Sequence, residues 1–149
     1  MTQEDKDLLL KDLCGRLMHG VKCKVFDDLA TPYTLSGVLP NNVYDELYFE
    51  QLDFKESDGY VSVKFCKPYL FPLSSMTEEQ KNRLKEIWSA DMDKAIDYSI
   101  SGEDELCDLC QLSATKNVID WLNANHFDFR GLIDKGLAID CTNLNIYCL

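Results

Sequence analysis

Tyr60-Val61-Ser62-Val63-Lys64-Phe65-Cys66 alternates in character from one residue to the next, the period-two pattern of a half-buried β-strand. Ser57-Asp58-Gly59 precedes it as a turn. Tyr60 to Cys66 is the clearest strand in the chain. The residues that follow, Lys67-Pro68-Tyr69-Leu70-Phe71-Pro72-Leu73, read differently. Proline has no backbone N–H, so two prolines four apart argue against a regular central strand or helix. An extended connector is expected here, lying across the sheet or lining a groove, with Tyr69, Leu70 and Phe71 partly buried.

Working back toward the N-terminus, two more alternating stretches appear. Val21-Lys22-Cys23-Lys24-Val25 places Val21, Cys23 and Val25 on one side, and Asp27-Asp28 turns the chain after it. Tyr33 to Leu39 alternates again between Pro32 and Pro40, and Asn41-Asn42 marks the next turn. Leu47 to Phe54 alternates less cleanly. Connections this short make strands neighbours, so an antiparallel meander is predicted.

Helices flank this region. The first is expected from Gln3 to about Met18, with Thr2 as its cap and Asp5 completing a capping box. Leu9, Leu13 and Leu17 form its apolar stripe, widened by Leu10 and Cys14, with Asp7, Lys11, Asp12 and Arg16 turned outward. Gly20 is placed to end it in a left-handed cap. Ser75 to Glu78 and Thr77 to Gln80 offer two capping registers for a second helix, which runs to about Ser89. Residues 90–101 continue or break it, and Gly102 to Asp108 reads as an exposed acidic stretch. Ser113 is a cap for a third helix ending near Asn125, and Leu137 to Asp140 reads as a short final strand. The prediction is therefore a single α+β domain spanning 1–149. It comprises a small antiparallel sheet of about four strands, with an N-terminal helix and C-terminal helices packed on it.

Composition narrows the function classes. The chain has 149 residues, 46% hydrophobic and 28% charged, as folded water-soluble proteins do. Its formal charge is −11, and residues 76–149 carry 14 acidic side chains against 7 basic ones. Such a body repels a phosphate backbone, so direct nucleic-acid binding is not expected, whereas a basic protein partner is attracted. No apolar run approaches the ~20 residues of a membrane span, and the start, Met1-Thr2-Gln3-Glu4-Asp5, is not that of a signal peptide. A cytoplasmic location is expected, which keeps the seven cysteines reduced.

Three segments taken together carry a resemblance: Leu8-Leu9-Leu10-Lys11-Asp12-Leu13-Cys14, the stretch from Lys67 to Glu79, and the stretch from Asp120 to Ile133. The chain resembles a small uncharacterised protein family of gut Bacteroides species and their phages or mobile elements. The resemblance covers most of the chain and implies a cytoplasmic bacterial or phage accessory protein. It supplies no activity and no catalytic residue.

The residues that carry chemistry form three groups. Tyr44, Tyr48, Phe49, Phe54, Tyr69 and Phe71 make the richest aromatic region. On alternating strands half of them point outward, which suits a protein-binding patch, with core packing as the other reading. His126, Asp128 and Arg130 bring an imidazole, a carboxylate and a guanidinium into five residues, enough for acid–base work or anion binding if the three converge. Otherwise His126 complements a helix C-terminus while Asp128 and Arg130 pair. Cys107 and Cys110 form a lone CxxC, a weak metal pair because a structural zinc needs four ligands and no second CxxC exists. The carboxylates around it argue against a redox role. Glycines are scattered singly, without a phosphate-binding loop. No cofactor is expected, and an enzyme is not the favoured reading. The expected function is a non-enzymatic interaction module with an acidic surface, with a protein partner or a second copy of the chain. The alternatives are a ligand-binding domain or enzyme at the His126/Asp128/Arg130 loop, and an acidic nucleic-acid-mimic inhibitor.

Overall fold

Thr2 caps the first element as its sequence requires. The structure, a computed structural model, describes residues 1–26, 31–39, 45–50, 59–102 and 104–147, with Tyr98 described for its backbone alone. The Thr2 hydroxyl accepts the Asp5 N–H at 3.1 Å and the Asp5 carboxylate accepts the Thr2 N–H, opening α1 (Gln3–Arg16). A 3-10 turn, Leu17–His19, closes the helix, and Gly20 takes the left-handed conformation at φ 66° that a side chain resists.

The fold is α+β; the described residues form α1, eight strands and two long helices. The strands are β1 (Lys22–Val25), β2 (Tyr33–Thr34), β3 (Gly37–Leu39), β4 (Glu46–Tyr48), β5 (Tyr60–Ser62), β6 (Cys66–Pro72), β7 (Phe127–Asp128) and β8 (Ile139–Asp140). They form two sheets rather than one. The smaller is the expected antiparallel meander, β3-β4-β5. The larger is mixed, in the order β2-β1-β6-β7, with β8 also on β6. β1 runs antiparallel to β2 and β6, whereas β7 and β8 lie parallel to β6.

Two sequence expectations change at this point. The stretch from Tyr33 to Leu39 divides between the sheets: the Leu35 N–H goes to Val21 O and the Ser36 N–H to Tyr48 O. Gly37 permits that crossing, because a Cβ there would stand 3.3 Å from Cβ of Tyr48. The Tyr60–Cys66 alternation likewise ends after Ser62. A 3-10 turn, Val63–Phe65, carries the chain into the other sheet. Val61 and Val63 are buried, while Phe65 is exposed.

The expected connector is in fact β6, the central strand of the larger sheet. The prolines are tolerated by position. Pro68 faces Cys23 just before the residues that pair with β8, and Pro72 is the last residue paired with β7. The bonds that fasten those two strands use other residues: the Phe71 N–H donates to His126 O and Leu70 O accepts from the Cys141 N–H.

Residues group into two units, Met1–Leu73 with His126–Leu149, and Ser74–Asn125. The first contains α1 and the strands of both sheets. Its core joins Leu9 and Leu13 of α1 to Val21, Cys23, Val25, Leu47, Phe49, Val63, Leu70 and Leu132. Each such side chain contributes about 1.5–3 kcal/mol on burial. The second unit is a helical hairpin of α2 (Glu78–Ser101) and α3 (Asp104–Ala124). Of the two capping registers the chain uses Thr77–Gln80, whose side chains accept each other's backbone N–H at 3.2 and 2.9 Å. α2 runs on to Ser101, past Ser89. α3 begins ten residues before its expected start, so Ser113 is not a cap; its hydroxyl donates to Asp91 of α2 at 3.0 Å. No helix among the described residues is long and apolar enough to cross a membrane.

Candidate functional site

The apolar stripe of α1 brings two charged residues inward with it. Leu9, Asp12, Leu13 and Arg16 follow the i, i+3, i+4, i+7 spacing of a single helix face, and all four are fully buried. The outward placement expected for Asp12 and Arg16 is thus corrected, as is the inward placement of Cys14, which is exposed. Arg16 meets Asp12 with two hydrogen bonds, Nε to Oδ2 at 2.7 Å and Nη2 to Oδ1 at 3.0 Å. Nη2 also donates to Phe127 O at 2.8 Å. Arg130 approaches the same carboxylate, its Nε 3.3 Å from Oδ1. Both guanidiniums lie over the Phe129 ring, at 5.6 and 4.6 Å. One buried carboxylate thus sits between two cations, an arrangement that compensates the cost of burying charge.

The His126, Asp128 and Arg130 loop is packed around this pair. His126 adopts φ 58° and is buried, its ring stacked on Tyr147 at 3.9 Å. The Tyr147 hydroxyl donates to Tyr69 O at 2.8 Å and accepts the Lys22 N–H at 3.1 Å. Burial pushes the Tyr147 phenol pKa upward. Burial, followed by the nearby charges of Arg16, His19 and Lys22, pushes the His126 imidazole down to about 4. The unfolded chain takes up this proton near pH 6.5, so between 6.5 and about 4 the unfolded state holds more protons. Stability contributed by neutral His126 is complete above that window and is lost as the pH falls through it, by about 3 kcal/mol over the whole span. His126→Asn, which tolerates the positive φ, is expected to flatten the slope of denaturation midpoint against pH in that window.

Asp128 is committed to the backbone. Its Oδ1 accepts the N–H groups of Arg130 (3.3 Å) and Leu132 (3.0 Å), and its Oδ2 accepts that of Ile133 (2.8 Å). Asp128→Asn turns an amide NH2 toward one of these donors and is expected to cost about 1–3 kcal/mol, read from urea midpoints. The three side chains therefore go to different partners: His126 to a ring, Asp128 to backbone donors, Arg130 to Asp12 and Phe129.

The aromatic patch is dispersed as well. Tyr44 lies outside the described residues, as does Phe54. Phe49 is fully buried and Tyr69 nearly so, which corrects their reading as surface contacts. Tyr48 is half-buried against Tyr60, ring centroids 5.2 Å apart. Phe71 is half-buried between Phe127 and Tyr147. Cys107 and Cys110 lie on the first turns of α3, where Gln111 donates to the Cys107 sulfur at 3.3 Å. No group of three or more His, Cys, Asp or Glu that could hold a metal occurs among the described residues. The buried thiols Cys23 and Cys141 are poor nucleophiles, since burial raises Cys23 well above its usual value and Cys141 to about 12.

Six of the exposed large hydrophobic side chains among the described residues lie on the α2–α3 hairpin. Ile100 is 80% exposed, Leu112 67%, Leu109 60% and Ile96 55%, with Trp88 and Leu106 also exposed. Ala95 is the sole fully buried residue among the described side chains of α2. Residues 91–112 carry seven acidic side chains and one lysine, Lys94, which pairs with Asp91 at 3.3 Å. In sequence only Gly102 to Asp108 reads as an exposed acidic stretch. The i, i+4 spacing of Met92, Ile96 and Ile100 is the signal that marks the apolar row. Compared with known proteins, the chain matches no family model, no curated protein and no solved structure.

Proposed function

We propose that the protein is a non-enzymatic interaction module whose acidic helical hairpin binds a protein partner, in an accessory role connected with a phage or mobile element. The observation that carries this reading is the exposure of Ile96, Ile100, Leu109 and Leu112 on one hairpin. Leaving large aliphatic side chains in water forgoes about 1.5–3 kcal/mol each, and apolar surface rimmed by polar groups is how interaction sites present themselves. The first unit supports this as a scaffold. In it Asp12 and Arg16 are ion-paired, Asp128 closes its own loop and His126 stacks on Tyr147.

The test is capture by the intact chain. Wild-type protein and an Ile96→Asp/Ile100→Asp variant are immobilised, exposed to bacterial host lysate and eluted with salt. Both substitutions fall on exposed positions, so the variant keeps its thermal midpoint. A stoichiometric protein retained by the wild type and lost by the variant is expected. Identical elution profiles from the two columns would sink the reading.

A further inference from the structure

The hairpin also specifies the chemistry of what it binds. α2 places Trp88, Met92, Ile96 and Ile100 at successive i, i+4 positions, an apolar stripe about 18 Å long at ~1.5 Å per residue. Asp93 and Asp97 occupy the adjoining row of the same helix and are exposed. The hydrogen bonds from Ser113 and Asn117 to Asp91 set the register of the two helices. That register brings Asp104 and Asp108 of α3, both exposed, to the level of Ile100 and Ile96. Among the described residues, Asp93, Asp97, Asp104 and Asp108 make no ion pair and no side-chain hydrogen bond. The apolar stripe is therefore accompanied on both helices by carboxylates that lack cations.

We propose that this face receives a basic amphipathic helix of a protein partner. Its apolar residues would rest on Met92, Ile96 and Ile100, and its Lys or Arg side chains would meet the carboxylates of the two helices. The proposal rests on the interaction reading above and names its partner class. Charge complementarity selects this occupant. A second copy would set seven acidic side chains and one lysine against an identical surface, and like charges brought together oppose association. A nucleic acid or an anionic membrane is repelled for the same reason. A helix fits best because a helical pair offers a groove that accepts side chains at i, i+3, i+4 and i+7.

The probe is a dye-labelled amphipathic peptide of about five turns, with Leu on one face and Lys on the other, and a counterpart bearing Glu in place of Lys. Each is titrated against the full chain by fluorescence anisotropy, and the chain alone is sedimented. The expected result is a monomer that binds the Lys peptide at least tenfold more tightly than the Glu peptide. Ile96→Asp/Ile100→Asp weakens that binding at least tenfold. Asp104→Asn/Asp108→Asn weakens it about threefold or more and flattens its salt dependence. Equal binding of both peptides, or binding indifferent to both variant pairs, overturns the proposal. So does a dimer that Ile100→Asp dissociates. If the Lys peptide fails to bind while lysate capture still depends on Ile96 and Ile100, the basic-helix assignment falls and the interaction reading stands.

Discussion

Arg16→Ala is expected to destabilise the folded chain by about 3–5 kcal/mol, the cost of breaking a buried ion pair from one side. The guanidinium is fully buried and has a fully buried carboxylate, Asp12, as its partner. Removing it strands that carboxylate with Arg130 alone, at 3.3 Å, and leaves Phe127 O without its 2.8 Å donor. The penalty comes from the abandoned charge more than from the lost bonds. A double variant, Asp12→Leu/Arg16→Met, removes both charges while filling similar volume, and is expected to recover most of the loss. Urea denaturation of the three proteins at constant m-value checks this. A loss under about 1 kcal/mol for Arg16→Ala would mean that the pair is solvated rather than buried.

Phe49→Ala is the second large effect, about 3–5 kcal/mol, the usual range for a buried phenylalanine. Phe49 follows β4, is fully buried among Leu47 and the other core residues, and its N–H donates to Gly59 O at 3.0 Å. Tyr48, one residue earlier, points to the other side of the strand and rests on Tyr60. Tyr48→Ala is therefore expected to cost about 1 kcal/mol or less. Thermal midpoints of the two variants separate the roles. Small and equal losses would return Phe49 to the surface and with it the aromatic binding patch.

Much of the local structure is legible from residue spacing. The Thr2–Asp5 box, the Gly20 cap, the inward faces of Val21, Cys23 and Val25, and the short strand ending at Asp140 all follow from local backbone chemistry. The turn signals at Asn41-Asn42 and Ser57-Asp58 lie outside the described residues. Other features are not legible because they depend on distant partners. Pro68 and Pro72 argue against a central strand only when every N–H of the strand is needed. In β6 the bonds to His126 O and Cys141 N use Phe71 and Leu70 instead. Asp12 and Arg16 look like outward charges until Phe127 O and Arg130, more than 100 residues away in sequence, are brought to them.

The candidate sites divide in the same way. Spacing alone locates the His126, Asp128 and Arg130 loop as a distinct feature, but not what each side chain meets. Asp128 is occupied by three backbone N–H groups that only the folded loop presents. The acidity of residues 91–112 is visible as composition. That Ile96, Ile100, Leu109 and Leu112 stay exposed on that hairpin is visible only in the fold, because an amphipathic pattern does not say whether anything covers its apolar face.

The α+β class, the Thr2 and Gly20 caps and the inward faces of Val21, Cys23 and Val25 are thus legible in the residue order, and the negative charge in the composition. The parallel pairing of β7 and β8 with β6, the burial of Asp12 with Arg16, and the exposure of the hairpin's aliphatic residues belong to the tertiary structure. The physical reason is common to all three. Each depends on which distant groups meet, and the free energy of burying or exposing a side chain is set by that company rather than by its place in the chain.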